Sequence, residues 1–181
     1  MLEPVHIENE EFLVHTFRAE DIKKEKVVSK DILAILSDGI TTHFLPGKKL
    51  ATLKEAELFF RGNLLNYYAG KNYLHLITDK QTHKVIGMID LISPALAKEH
   101  YRMDACPYFV EFYLKSEFQH RGIMGELLPA FVKQLQQKNI QEIGAVINRD
   151  NKIAQKVILK TGFRFSSEFD FAQDFYTITL N

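Results

Sequence analysis

The sequence predicts a mixed α/β (α+β) domain: a mixed β-sheet with helices packed on its faces. Three observations carry that prediction. The chain has 181 residues, 46% of them hydrophobic and 14 of them Phe, enough apolar mass for one sizeable core spanning residues 1–181 as a single domain. Its hydrophobic periodicity switches between two and 3.6 residues in the order β-α-α-β-β-β-α-β-α-β-β. The strand–helix–strand passage over residues 108–148 requires a right-handed parallel crossover, whereas the hairpins elsewhere supply antiparallel neighbours.

The elements follow in chain order. EFLVHTFR (11–18) reads as the first strand. SKDILAILSD (29–38) reads as a helix with Ser29 as candidate N-cap and Ile32, Leu33, Ile35 and Leu36 as its apolar stripe. GITTHFLPGKK (39–49) has no period and reads as a loop. Thr52 opens TLKE, a capping box with Glu55 three residues on; the helix behind it carries Leu58, Phe59, Leu65 and Tyr68 until Gly70 stops it. YLHLIT (73–78) and KVIGMIDLI (84–92) flank the polar DKQTH and form a hairpin. YFVEFYL (108–114), aromatic and β-branched, is a strand. Leu127, Leu128, Phe131, Val132 and Leu135 then mark an amphipathic helix, with Pro129 forcing a kink or a late helix start. EIGAVIN (142–148) is a short apolar strand, followed by a helix from Asp150, its candidate N-cap, to Gly162. FRFSSEF and DFYTITL close the chain as a hairpin.

Composition excludes several classes. Lys+Arg and Asp+Glu are both 23, and the lack of excess basic charge weighs against a general nucleic-acid binder while leaving room for a local basic patch. The single cysteine, Cys106, rules out an intramolecular disulfide and a cysteine-rich zinc site. The start MLEPVHIENEEF lacks the basic-then-apolar order of a signal peptide, and no apolar run approaches the roughly 20 residues that span a bilayer, so a cytoplasmic location away from membranes is expected. The seven histidines show no metal-ligand spacing, and no metal is expected. His43 stands apart because the 39–49 loop is placed to line a pocket.

The segment QHRGIMGELL (119–128) carries the main functional signal. A helix start exposes unpaired N–H groups and a partial positive charge of roughly half a unit. Gly122 and Gly125 remove Cβ atoms that would hold a ligand off that backbone, and Arg121 adds a cation. Two readings stay open on the residues alone: a phosphate or pyrophosphate seat, and a glycine turn that only joins strand to helix. A dinucleotide fingerprint fails because His120 stands where a glycine is required, and a Walker loop fails because Asn72 follows Gly70-Lys71. GIMG also fits the G-x-x-G of a KH module, but Ile123 and Met124 bring no basic charge.

QHRGIMG resembles the Q/R-x-x-G-x-G/A signature of the GNAT N-acetyltransferases, with Gln119 and Gly122 in register, Met124 at the last Gly/Ala position and Gly125 one residue later. Asn151, Ala154 and LKTGF (159–163) resemble that family's second block. FRAED (17–21), FLPG (44–47) and KVIGMIDL (84–91) are similar to its ribosomal-protein N-terminal acetyltransferase subgroup. The resemblance implies a GNAT fold: a mostly antiparallel twisted sheet with one splayed parallel pair and helices on both faces. It implies acetyl-CoA as cosubstrate and a primary amine, of a small molecule or a peptide N-terminus, as acceptor, in a monomer or homodimer. Backbone groups of Phe112, Tyr113 and Leu114 would pair with the pantetheine arm. The amides from Gln119 through His120, Arg121, Gly122, Ile123, Met124 and Gly125 to Glu126 would hold the pyrophosphate, and Asn151 would help fix the arm.

For the chemistry itself, Glu111 is the base candidate, since a carboxylate among apolar strand residues is shifted upward by desolvation. An edge or solvent-facing strand glutamate is the competing reading. The tyrosine that many relatives use to protonate the leaving thiolate is Ile158 here, which leaves Tyr113 or Tyr176 as substitutes, or no dedicated acid. Near pH 7 a lysine amine is neutral in only about one molecule in 2,500 and an α-amine in about one in seven, so a weak base favours α-amines. The missing tyrosine also keeps a second reading open, a non-catalytic acyl-CoA-binding or sensing module.

Overall fold

The alternating and helical periodicities resolve into one sheet with helices on its two faces. The computed structural model describes residues 2–101 and 106–180. Its strands are β1 (Ile7–Glu8), β2 (Phe12–His15), β3 (Asn72–Asp79), β4 (Val85–Ile92), β5 (Tyr108–Leu114), β6 (Glu142–Asn148), β7 (Arg164–Glu168) and β8 (Gln173–Thr179), in the spatial order β1-β2-β3-β4-β5-β6-β8-β7. All neighbours are antiparallel except β5 and β6. The helices are α1 (Ala19–Lys23), α2 (Glu25–Leu36), α3 (Leu53–Tyr68), α4 (Pro94–Tyr101), α5 (Ile123–Gln136) and α6 (Lys152–Thr161), with short 3-10 turns at Pro46–Lys48 and Ser116–Phe118.

Strand alternation sorts the core into two layers. Tyr73 and Ile77 of β3, Ile89 and Leu91 of β4 and Val110 and Leu114 of β5 pack against Leu127, Phe131 and Leu135 of α5. Leu74, Leu76 and Met88, together with Tyr113, face the other way, against Ile32 and Ile35 of α2 and Phe60 of α3. Each such buried side chain contributes roughly 1.5–3 kcal/mol relative to exposure, so both helical layers are held by the sheet between them.

β5 and β6 are joined only at Tyr108↔Ile143 and Phe109↔Gly144. Beyond that point β5 stays paired with β4 up to Leu114, and β6 stays paired with β8 along its whole length. The two strands therefore diverge, each anchored on its outer side. Gly144 sits at the branch because there is no room for more: a Cβ would lie 2.7 Å from the Phe175 ring and 3.1 Å from that of Phe109. Those two rings stack with centroids 5.5 Å apart.

The structure corrects several expected elements. β1, α1 and α4 are additional; the last starts at Pro94, a residue suited to a first helical position. α2 begins at Glu25, so Ser29 lies fully buried inside it and caps nothing. The capping box of α3 forms, with Thr52 Oγ1 accepting from the Glu55 N–H, but its buried face is Ala56, Phe60 and Asn63. Leu58, Leu65 and Tyr68 are more than half exposed, because α3 turns its i, i+4, i+7 row toward the sheet instead. α5 runs from Ile123 straight through Pro129, so there is no late start. Asn151 rather than Asp150 caps α6, its side-chain oxygen accepting from the Ala154 N–H at 3.1 Å.

Gly144→Ala is expected to lower stability by about 1–3 kcal/mol, since a methyl group must displace two buried rings. Urea denaturation checks this, and an unchanged midpoint would show that the branch is not close-packed.

Candidate active site

The chain leaves β5 through the Ser116–Phe118 turn, and two residues then adopt left-handed backbone, His120 at φ 59° and Gly122 at φ 78°. That double reversal aims the following amides outward before α5 begins. The Gln119 N–H is spent on Ser116 O at 3.0 Å, and the Glu126 N–H on Gly122 O at 3.1 Å. Among the described residues the amides of residues 120–125 have no backbone acceptor, so the open run is shorter at each end than the sequence suggests. Ile123 and Met124 drive their side chains into the core, which fixes the turn while leaving its amides outward.

These amides face a cavity of about 860 Å³. Of the residues expected at the site, Phe112, Tyr113, Leu114, Gln119, His120, Gly122, Ile123, Met124, Gly125 and Asn151 line it. Arg121, Glu126 and Glu111 do not: Arg121 lies over the Phe118 ring at 5.4 Å, and Glu126 accepts from Asn9 Nδ2 at 2.9 Å. Tyr176 is likewise absent from the walls and pairs with Ala145 across β8 and β6.

β5 contributes main-chain groups where it has lost its neighbour. The Lys115 N–H bonds Ile86 O, so by alternation the backbone of Tyr113 and Glu111 faces β4, and that of Val110, Phe112 and Leu114 faces the gap toward β6. Leu114 O is already occupied, accepting from Gln119 Nε2 at 2.9 Å and from Thr41 Oγ1 at 3.0 Å. The conspicuous Gln119 thus ties the turn to the strand.

Two further walls complete the cavity. The 39–49 loop, expected to line a pocket, supplies one through Gly39, Ile40, Thr41, His43, Phe44 and Leu45. Asp38 anchors this loop, accepting from the N–H groups of Ile40 and Ser116 at 3.0 and 3.1 Å and facing the Thr41 hydroxyl at 3.0 Å. Burial pushes the Asp38 carboxyl upward, but those hydrogen bonds outweigh it and hold the pKa near 2. Lys152, Lys156 and Lys160 form the other wall, one α6 face at four-residue spacing. A Cβ on Gly125 would lie 3.6 Å from Lys160 Nζ, which places that ammonium over the first turn of α5.

The family model for the acetyltransferase (GNAT) domain matches residues 24–164. The chain belongs to the GNAT family of acetyltransferases. No curated protein sequence matches it significantly. Solved structures share the fold at low identity. The ribosomal-protein-S5-alanine acetyltransferase of Vibrio fischeri is 16% identical with TM-score 0.69, over 98% of this chain and 97% of its own. RimL, a ribosomal L7/L12 α-N-protein acetyltransferase in complex with coenzyme A, is 15% identical with TM-score 0.71, over 97% and 98%. The microcin C7 self-immunity acetyltransferase MccE, in complex with acetyl-CoA and AMP, is 14% identical with TM-score 0.67, over 94% and 93%. Among the described residues of this GNAT enzyme, no helix is long and apolar enough to cross a membrane.

On the α2–α3 face of the same sheet the GNAT domain carries a polar cluster. Glu111 projects there, its side chain only 15% exposed, and pairs with Lys48 Nζ at 2.8 Å while accepting from the Tyr113 hydroxyl. The solvent-facing reading of Glu111 is thereby overturned. Directly opposite it in the β4–β5 register stands Asp90, which sequence reading passed over as an ordinary strand residue. Burial first, then the adjacent Glu111 charge, pushes the Asp90 pKa up to about 6, against the opposing influence of Lys48 and an Asn72 hydrogen bond. Burial would lower Lys48, but the Glu111 carboxylate reverses that and holds it above the ordinary lysine value. Ile158, at the tyrosine position, is fully buried in the core.

Asp90 is raised above its unfolded value of about 3.9, so between about pH 4 and 6 the folded protein retains a proton that the unfolded chain has lost. Stability from this group is therefore full below about pH 4 and lost as pH rises through 6. Asp90→Asn removes the loss, and the variant should gain on the order of 2 kcal/mol relative to wild type between pH 4 and pH 7. Denaturant titrations at the two pH values measure it; an equal offset at both would show that Asp90 titrates normally.

Proposed function

We propose that this GNAT enzyme transfers an acetyl group from acetyl-CoA to a primary amine by direct attack. One observation carries the reading: outward amides of His120 and of Gly122 to Gly125, and the gap-facing backbone of Phe112, open into the same cavity. The first suits a diphosphate, because a helix start presents N–H donors and partial positive charge. The second suits an extended amide-bearing arm, which can hydrogen-bond to the Phe112 backbone as a substitute strand. Lys152, Lys156 and Lys160 add charge complementary to the remaining phosphate.

In the transfer the amine lone pair attacks the thioester carbonyl carbon, the C–S bond breaks, and the sulfur leaves with the bonding pair as thiolate. The carbonyl oxygen gains charge at the attack step and needs an N–H donor, which the gap-facing edge of β5 supplies. Glu111 receives the proton that the amine sheds, and Tyr113 protonates the thiolate, a role supported by its hydrogen bond to Glu111 and its position in the cavity wall. We assign the acceptor to the α-amine class. Two of the similar structures are ribosomal-protein acetyltransferases, one of them α-N-directed, and α-amines need less help to lose a proton.

Titration calorimetry with acetyl-CoA should show one site per chain, and no heat at millimolar ligand would end the proposal. Gly122→Ala should weaken binding roughly tenfold, and left-handed backbone should cost it about 1–2 kcal/mol of stability. Thiol release across a panel of peptides and amines separates the enzyme from a binding-only module: turnover with any acceptor dismisses the latter.

Lys156→Gln with Lys160→Gln should lower acetyl-CoA affinity about tenfold and flatten its dependence on salt. An unchanged salt slope would remove α6 from the phosphate site.

A further inference from the structure

A second cavity, of about 230 Å³, opens on the α2–α3 face and is lined by Lys48, Asn63, Asn66, Asn72 and Asp90 among its polar residues. It is smaller than the ~300–1,000 Å³ typical of whole-ligand pockets, so it fits one end of a molecule.

Its hydrogen bonding is unbalanced. Asn72 is 5% exposed, and its Nδ2 donates to Asn63 Oδ1 at 2.9 Å and to the Asp90 carboxylate at 2.9 and 3.0 Å. Those acceptors fix the amide orientation, since a flip would set oxygen against oxygen. Among the described residues, Asn72 Oδ1 is consequently a buried acceptor with no partner. Leaving such an atom unpaired is unfavourable, and the group that relieves it must be a donor. Asp90 asks for the same thing. Asn63 Nδ2 is already committed to Phe59 O at 2.8 Å, which leaves Lys48 as the cation in the wall. With Asp90 and Glu111 charged, the cluster carries two negative charges against one positive.

A row of side chains links the chamber to the cofactor cavity. Asp90 stands opposite Glu111, Glu111 holds both Lys48 and the Tyr113 hydroxyl, and Tyr113 and Phe112 line the larger cavity. Lys48 closes the short turn that follows the loop over that cavity.

Resting on the acetyl-transfer reading, we propose that this chamber selects the acceptor by its ammonium group, received by the Asp90 carboxylate, with Lys48 as the internal cation that the incoming ammonium must displace from Glu111. The acceptor class is a small primary ammonium, such as the first residue of a peptide. Anionic acceptors are refused by the two carboxylates, and a neutral group of the same shape gains no charge pairing.

The probe is L-alaninamide, a cation with an α-ammonium, against L-lactamide, which carries a hydroxyl in its place. Binding to the full chain is followed by heteronuclear NMR titration. The wild type should bind alaninamide at least tenfold tighter than lactamide. Asp90→Asn should abolish that preference, and Lys48→Met should tighten alaninamide about three- to tenfold. Equal binding of the two probes, or loosening by Lys48→Met, overturns the proposal. Acetyl-CoA calorimetry on the same proteins separates the two readings. Intact cofactor binding with no ammonium preference sinks the chamber alone, whereas absent cofactor binding in the wild type sinks acetyl transfer.

Discussion

A β-strand in mid-sheet ordinarily spends its main-chain groups on both neighbours, and β5 is prevented from doing so beyond Phe109. Its partner β6 is drawn away by a full-length pairing with β8, and β5 is held by β4. Neither can close the gap without giving up hydrogen bonds it already has. Buried main-chain groups without partners are rare because each is costly, so the opening has to face a space where something polar can enter. The crossover from β5 then starts a helix at the mouth of that space, and its free amides and those of the strand share one cavity. The branch at Gly144 is thus the constraint from which the rest of the architecture follows.

The two faces of the sheet divide the chemistry. On one side α5 and α6 offer amides and lysines suited to an anionic carrier. On the other, α3 and the strands enclose a chamber biased toward cations. The contact between them is a short row of side chains on the α2–α3 face of β5, Lys48, Glu111 and Tyr113, at whose end Tyr113 also lines the larger cavity. Opposite charges are thereby kept on opposite sides, with the reacting carbonyl assigned to the place where they meet.

Much of this was legible in the sequence, and the exceptions have physical causes. β5 and β6 match the expected 108–114 and 142–148 because each is a short run whose β-branched or aromatic residues favour extended backbone. The α5 stripe holds because its apolar residues recur at helical spacing. α3 misleads because its buried row includes Asn63, whose burial is accounted for by a side-chain bond to Asn72, a tertiary partner that no helical period reveals. Asp90 gains meaning only from the register that sets it against Glu111. Lys152, Lys156 and Lys160 were within reach, since four-residue spacing on a helix is visible without coordinates. The Gly/Ala departure at Met124 also has its explanation: the side chain is buried, so the position faces the core and tolerates bulk.

That anchoring of Ile123 and Met124 has a thermodynamic corollary. A loop that must order itself around a ligand gives back part of its binding energy as lost chain entropy. Here the donor-bearing turn is riveted to the hydrophobic interior before any ligand arrives, and little freedom remains to be surrendered. The stiffness is local. Residues 39–45 are held separately, by hydrogen bonds of the Asp38 and Thr41 side chains, so the carrier end and the roof above it are fixed independently. Evolution can redraw that roof for new acceptors without disturbing how the carrier is held.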